Sequence, residues 1–303
     1  MNALLDVFLQ NILPIFLVTA MGFALRRRLG LDKQTLSKLT FYAFSPALVF
    51  SSLVNSEIPG DEMLQLAAYA VVVTLLIGLV TLLASRLMRL SRIDTVALLL
   101  VVMFVNSGNY GLTLNRLRYG EDGLARAAVF FVVSTIMVFT LGVFIASMGQ
   151  VSWRTSLARL FRMPAFYAVI TAVLIYSLDI QVPQPLLRGI ELAGAGAIPV
   201  MLVVLGMQIA DLSDLGRVWL ALPASGLRLI VGPIVAVIVA GWFGLQGLNR
   251  ATSIIEASMP TAVITTILAV EFDVRPGLVT STVVLTTILS AITLPIVITW
   301  LGL

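Results

Sequence analysis

The sequence predicts an all-α membrane protein whose ten transmembrane helices form two inverted five-helix repeats, residues 1–150 and 151–303. Three observations carry this. The 303 residues are 59% hydrophobic and 11% charged, with a mean hydropathy of +1.06, whereas soluble domains carry about 25% charged residues. Short arginine clusters separate the apolar runs, as cytoplasmic loops do. Landmarks also recur at about half the chain length: Pro46 and Pro199 are 153 positions apart, and Asn109–Pro260 and Asp122–Asp273 are each 151 apart. A near-constant offset is the trace of a duplicated unit, and an odd number of spans per unit inverts the second copy.

The spans follow in order. Span 1 runs from Val7 to Leu25 and ends on Arg26-Arg27-Arg28. No positive residue precedes it, the reverse of a cleavable signal peptide, so its N-terminus is placed outside. Span 2, near 39–55, contains Pro46, and an acidic external loop from Glu57 to Glu62 follows it. Span 3, near 63–85, leads back inside to Arg86, Arg89 and Arg92. Span 4 has no charge from Thr95 to Asn115, and span 5, near 127–148, reaches Arg154, Arg159 and Arg162. Span 6 covers about 164–178. Span 7, about 186–210, holds Gly194, Ala195 and Gly196, small residues suited to close helix packing. Span 8 covers about 218–243 and carries Arg228, and span 9 runs from about Ala251 to Val270. Span 10, 276–300, closes on an interfacial Trp300. Alternation puts both termini outside an inner cell membrane and most of the 19 basic residues inside, with Arg217 and Asp214 sharing one inner loop.

Two spans are interrupted at matching places. Span 4 contains Asn106-Ser107-Gly108-Asn109-Tyr110-Gly111, all poor interior helix formers. Span 9 contains Glu256-Ala257-Ser258-Met259-Pro260-Thr261, where Pro260 removes a backbone donor. Irregular backbone at membrane depth survives only inside protein or beside a wet cavity. Paired breaks in two halves point to a transporter binding site. If they meet, the half-helices beyond them start with free N–H groups and positive dipole ends, an anion site that needs no basic side chain. The candidate binding residues are Asn106, Ser107, Asn109, Tyr110, Met259, Pro260 and Thr261. Arg228, near mid-depth, is a charge partner for substrate or for Glu191 or Glu256. Glu256, one turn before Pro260, is the candidate coupling residue: isolated it carries a proton, and beside a cation it stays ionised.

In its opening GFALRRRLGLD (22–32), in LSKLTFYAFSPALVFSSL (36–53), in NSGNYG and in EASMPTAV (256–263), the sequence resembles the auxin efflux carrier family and its bacterial members. More distantly it resembles the bile acid:sodium symporters. The resemblance spans essentially all 303 residues. It implies a scaffold and homodimer face from spans 1, 2, 6 and 7, and a mobile transport domain from spans 3–5 and 8–10. It further implies that spans 4 and 9 cross at their breaks to bind a small organic anion, moved by elevator-type alternating access. The family often has proline at both crossings, and this protein has Asn109 where that proline would sit in span 4. In the bile acid symporters an acidic residue near the crossing belongs to a sodium site, so proton and sodium are both candidate coupling ions. The long cytoplasmic loop of the plant auxin carriers is absent.

Other function classes fare poorly. There is no Cys and no His, which removes thiolate zinc sites, Cys- or His-ligated haem and Ser-His-Asp triads. No cofactor or metal is expected. The pI of 9.8 reflects loop arginines rather than a nucleic-acid surface. An intramembrane enzyme would need paired acids or a nucleophile–base pair within the spans, and Glu256 has no acidic neighbour in sequence. The remaining alternatives are a sodium-coupled symporter of bile acid type and a channel-like permease.

Overall fold

In a computed structural model of the protein, which describes residues 3–56, 58–147, 164–178, 180–211 and 218–302, the regular elements are all helices. They are α1 (Ala3–Leu29), α2 (33–54), α3 (Gly60–Leu87), α4 (Arg92–Met103), α5 (107–119), α6 (121–146), α7 (Pro164–Ser177), α8 (Gln184–Ala210), α9 (218–242), α10 (Gly247–Ala257), α11 (Ile264–Glu271) and α12 (Pro276–Trp300). Gly120, at φ 66° and ψ −153°, divides α5 from α6, a conformation open essentially to glycine alone. The helix ends follow local chemistry. Gly30, at φ 61°, ends α1 and donates its N–H to Arg26 O, and the last turn carries Arg26–Arg28 against the negative dipole end. Asp32 caps α2 by accepting from the Gln34 and Thr35 amides, which together with the Thr35 hydroxyl hold its carboxyl below the usual range.

Among the described residues, six helical stretches are long and apolar enough to cross a membrane: Ala3–Leu29, Gly60–Leu87, Ser107–Ala146, Gln184–Ala210, Trp219–Trp242 and Pro276–Trp300. The ten expected spans do not appear as ten unbroken helices. The α4/α5 and α10/α11 pairs are interrupted, as the sequence implied, and α7 is 14 residues long. The expected repeat boundary at 150/151, the inner-loop residues Arg154, Arg159 and Arg162, and Glu57, Asp179, Asp214 and Arg217 lie outside the described residues.

Two packed groups emerge. In one, α8 lies along α1, and α2 packs on α7 and α8. A Cβ on Gly206 would overlap the Thr19 carbonyl, so α1 and α8 approach at backbone contact. Asp211 then clasps Arg26 and Lys33, each at 2.7 Å. Burial alone would raise the Asp211 carboxyl, but the two cationic hydrogen bonds outweigh it and hold it below its ordinary value. Gly194 seats against the Leu48 backbone, so this close approach is used within the molecule. In the other group, α3 packs on α4, α6 and α9, and α9 packs on α10 and α12. Arg275 at the start of α12 reaches Asp94 in the first turn of α4 at 2.6 Å, tying the two halves of the sequence together.

Among the described residues, five stretches adopt wider π-helical turns: 8–12, 40–44, 107–112, 138–142 and 227–231. Such turns collect at functional sites, and four of these five surround the break region.

Candidate functional site

The two breaks meet. Between α4 and α5 the backbone leaves the helix at 104–106, with Phe104 extended, and between α10 and α11 it leaves the helix over 258–263. The Asn106 amide donates to Pro260 O at 2.8 Å, and the Ala262 amide donates to Phe104 O at 2.9 Å, with Val105 opposite Thr261 as an antiparallel bridge. This is how the interior satisfies backbone groups that the helices release. The crossing therefore centres on Val105 and Thr261. Asn109, which the offset of 151 matches to Pro260 as a repeat landmark, stands in the first turn of α5. Tertiary pairing fixes this register, and proline spacing does not report it.

Four half-helix ends converge here. The carbonyl ends of α4 and α10 are both taken by Arg228, which is 0% exposed. Its Nη1 donates to Val102 O at 2.6 Å and its Nη2 to Ala257 O. Neither suggested acidic partner pairs with it. Glu191 accepts instead from Asn55 at 2.8 Å, and Glu256 from Asn115 at 3.0 Å. Both suggested pairings were inferred without knowing which helix faces meet.

The amide ends of α5 and α11 border a cavity of about 370 Å³, walled by α2, α5, α6, α8 and α11. Its lining is mostly apolar, with Phe41, Tyr42, Phe131 and Phe139 around it. Polar groups come from Asn106, Ser107 and Asn109 at the crossing, Ser134 and Thr135 on α6, and Lys38 and Gln208 at the scaffold side. Asn106 Nδ2 and Gln208 Oε1 are buried without a hydrogen-bond partner, so each has capacity left for a ligand. Lys38 is the one charged residue among the described lining residues, and no acid joins it.

Of the residues expected to bind, Asn106, Ser107 and Asn109 line this cavity. Tyr110 does not: it is fully buried on the opposite side of α5, accepts from Ser290 at 3.3 Å and borders a separate apolar crevice between α1, α8 and α12. Met259 is core. Pro260 contributes its carbonyl to the bridge, and Thr261 spends its hydroxyl on Val101 O (2.7 Å) and its amide on Thr286 (3.2 Å). The residues that follow Thr261, namely Ala262, Val263, Ile264 and Ile267, reach the cavity instead. Lys38 and Gln208 escaped the sequence reading because one looked like a loop charge and the other like an isolated amide near a helix end. Only packing brings them to the crossing.

Glu256 is 0% exposed and pressed on the α5 backbone at Gly111. Any Cβ on Gly111 would overlap its carboxylate, which explains the second glycine of NSGNYG. Asn115 Nδ2 donates to Glu256 Oε1 and to Gly111 O, leaving Glu256 Oε2 and Asn115 Oδ1 buried and unpartnered. Two orphaned acceptor oxygens are what a proton or a hard cation would satisfy.

Comparison with known proteins gives one concordant picture. A family profile described as membrane transport protein matches residues 7–298. An uncharacterized transporter of Methanothermobacter thermautotrophicus is 26% identical over 294 residues, covering 95% of this protein and 96% of the relative. An uncharacterized transporter of Methanocaldococcus jannaschii is 22% identical over 263 residues, covering 84% and 85% respectively.

Proposed function

The protein belongs to the membrane transport protein family, that of the auxin efflux carriers, and from that premise we propose that it is a secondary transporter of small organic anions working by alternating access. The observation that carries the reading is the cavity at the crossing. It combines two helix amide ends, the unpartnered Asn106 Nδ2 and Lys38, with no acidic side chain among its described lining residues. Anions are stabilised at such ends by partial positive charge and oriented N–H groups. The apolar walls suit a carboxylate with an aromatic or branched body rather than a bare inorganic ion.

The cavity is shared between the α1/α2/α7/α8 group and the group containing the crossing. That division supports an elevator, in which the second group carries the crossing past a fixed scaffold. Ten spans in two inverted repeats, an inner-membrane location, both termini outside and a homodimer through the scaffold complete the proposal, and rest on the charge distribution and the family. The orphaned oxygens of Glu256 and Asn115 favour ion coupling, by proton or, as in a symporter of bile acid type, by sodium.

The test is uptake of labelled carboxylates into proteoliposomes holding the purified protein. Saturable uptake with counterflow of label against an opposing gradient is the expected result. Linear flux without counterflow would identify a channel-like permease and overturn the carrier reading.

A further inference from the structure

We infer that Arg228 sets the sign of the crossing: one buried guanidinium neutralises both carbonyl helix ends, so the cavity reads only the two amide ends and selects anions over cations. The inference rests on the anion-transport reading and names a residue outside the cavity that determines its selectivity.

A helix carries about half a positive charge at its N-terminus and half a negative charge at its C-terminus. Where two broken helices cross, four such ends meet, and their fields nearly cancel unless one pair is neutralised. Arg228 does this for α4 and α10 together, through Val102 O and Ala257 O. It is wholly buried, and among the described residues no carboxylate pairs with it. A buried guanidinium without a carboxylate is costly unless something opposes its charge. Here two helix termini do so. Local structure is arranged around this contact. Arg228 sits in the π-turn 227–231 of α9, and Gly232 one turn on leaves room for the guanidinium: a Cβ there would lie 2.9 Å from Cζ. A lysine could reach one carbonyl but could not fork across both helices.

Glu256, the nearest acid in sequence to these carbonyls, faces α5 and Asn115 rather than Arg228. The amide ends of α5 and α11 thus keep their positive potential on the cavity side, where Lys38 adds to it.

The experiment compares benzoate with benzylammonium, two probes of similar shape and opposite charge, within a panel that also holds formate and succinate. Binding is followed by thermal shift and calorimetry on the full-length protein in detergent. Wild type should prefer benzoate. Arg228→Met should reduce the benzoate-to-benzylammonium preference at least about tenfold, the scale of a charge-assisted interaction. Arg228→Lys should retain more of that preference than Arg228→Met, because the charge stays. Gly232→Ala, which keeps the charge but displaces it, should fall between wild type and Arg228→Met, and it decides the matter if the methionine variant does not fold. A cysteine pair at Val105 and Thr261 that still forms its disulfide in the Arg228→Met background shows that the crossing persists. Unchanged preference in folded Arg228→Met or in Gly232→Ala overturns the inference, as does equal loss in the lysine and methionine variants, which would mark a packing role. A wild type that responds to no carboxylate in the panel overturns the anion reading itself, and this inference with it.

Discussion

At the residue scale the cavity divides into groups that are spent and groups that are free. Thr261 and Pro260 are consumed by the crossing, while Asn106 keeps a buried, unpartnered side-chain Nδ2 at the cavity wall. Asn106→Ala should weaken binding of a carboxylate by about 1–3 kcal/mol, the worth of a buried hydrogen bond to a charged ligand, and Asn109→Ala by less, since Asn109 is only half buried. Calorimetry on folded variants checks both values, and equal affinity to wild type would remove Asn106 from the site. Glu256 has a different role. Glu256→Gln keeps the shape and removes the charge. A proton-coupled carrier should then lose the pH dependence of net uptake while still exchanging label, whereas a sodium-coupled one should lose sodium stimulation. Transport like wild type at every pH and sodium level would leave Glu256 a packing residue only.

At the element scale the crossing is a short antiparallel bridge between two unwound segments. Val105 and Thr261 form a non-hydrogen-bonded pair, flanked by the bonds from Asn106 to Pro260 and from Ala262 to Phe104. Such pairs have Cα atoms about 4.5 Å apart, within disulfide range. Val105→Cys with Thr261→Cys should cross-link under mild oxidation in a protein with no native cysteine, read as an intramolecular mobility shift after a protease cut between the halves. Failure to link in folded protein would displace the crossing. The α1–α8 contact makes a second prediction. Asp211 is held below its ordinary value by Arg26 and Lys33, so its contribution to stability is present above about pH 4 and fades as pH falls through the depressed value. Partial exposure of all three groups keeps this contribution small. Asp211→Asn should therefore lower Tm near neutrality and converge with wild type as pH falls through the depressed value. A constant difference across that range would assign the effect to packing.

At the scale of the whole molecule, membrane topology is the broadest part of the proposal. Single cysteines at Asn2 and Gly302 should both react with an impermeant thiol reagent in intact cells, because ten spans return the polypeptide to the side it started from. Protection of either one would remove the ten-span topology. The two packed groups share the cavity, and in the elevator proposed above transport moves one group past the other.

The sequence by itself determined that the protein is helical and membrane-embedded, where its helices break, and that the breaks are polar. Those properties follow from local composition: apolar runs must leave water, and Asn-Ser-Gly-Asn or Pro260 cannot sustain an unbroken helix whatever surrounds them. Asn106, Ser107 and Asn109, expected at the breaks, line the cavity beside the crossing. The sequence did not determine which residues oppose each other across the crossing, where the backbone pairs Val105 with Thr261. Nor did it determine that Tyr110 turns to α12, that Lys38 and Gln208 reach the cavity, or that Arg228 binds two carbonyls rather than a glutamate. Each of these depends on the rotation and register of one helix against another. Tertiary packing settles them, because a helix has a residue facing every direction and the neighbour that satisfies its buried polar groups lies on another helix.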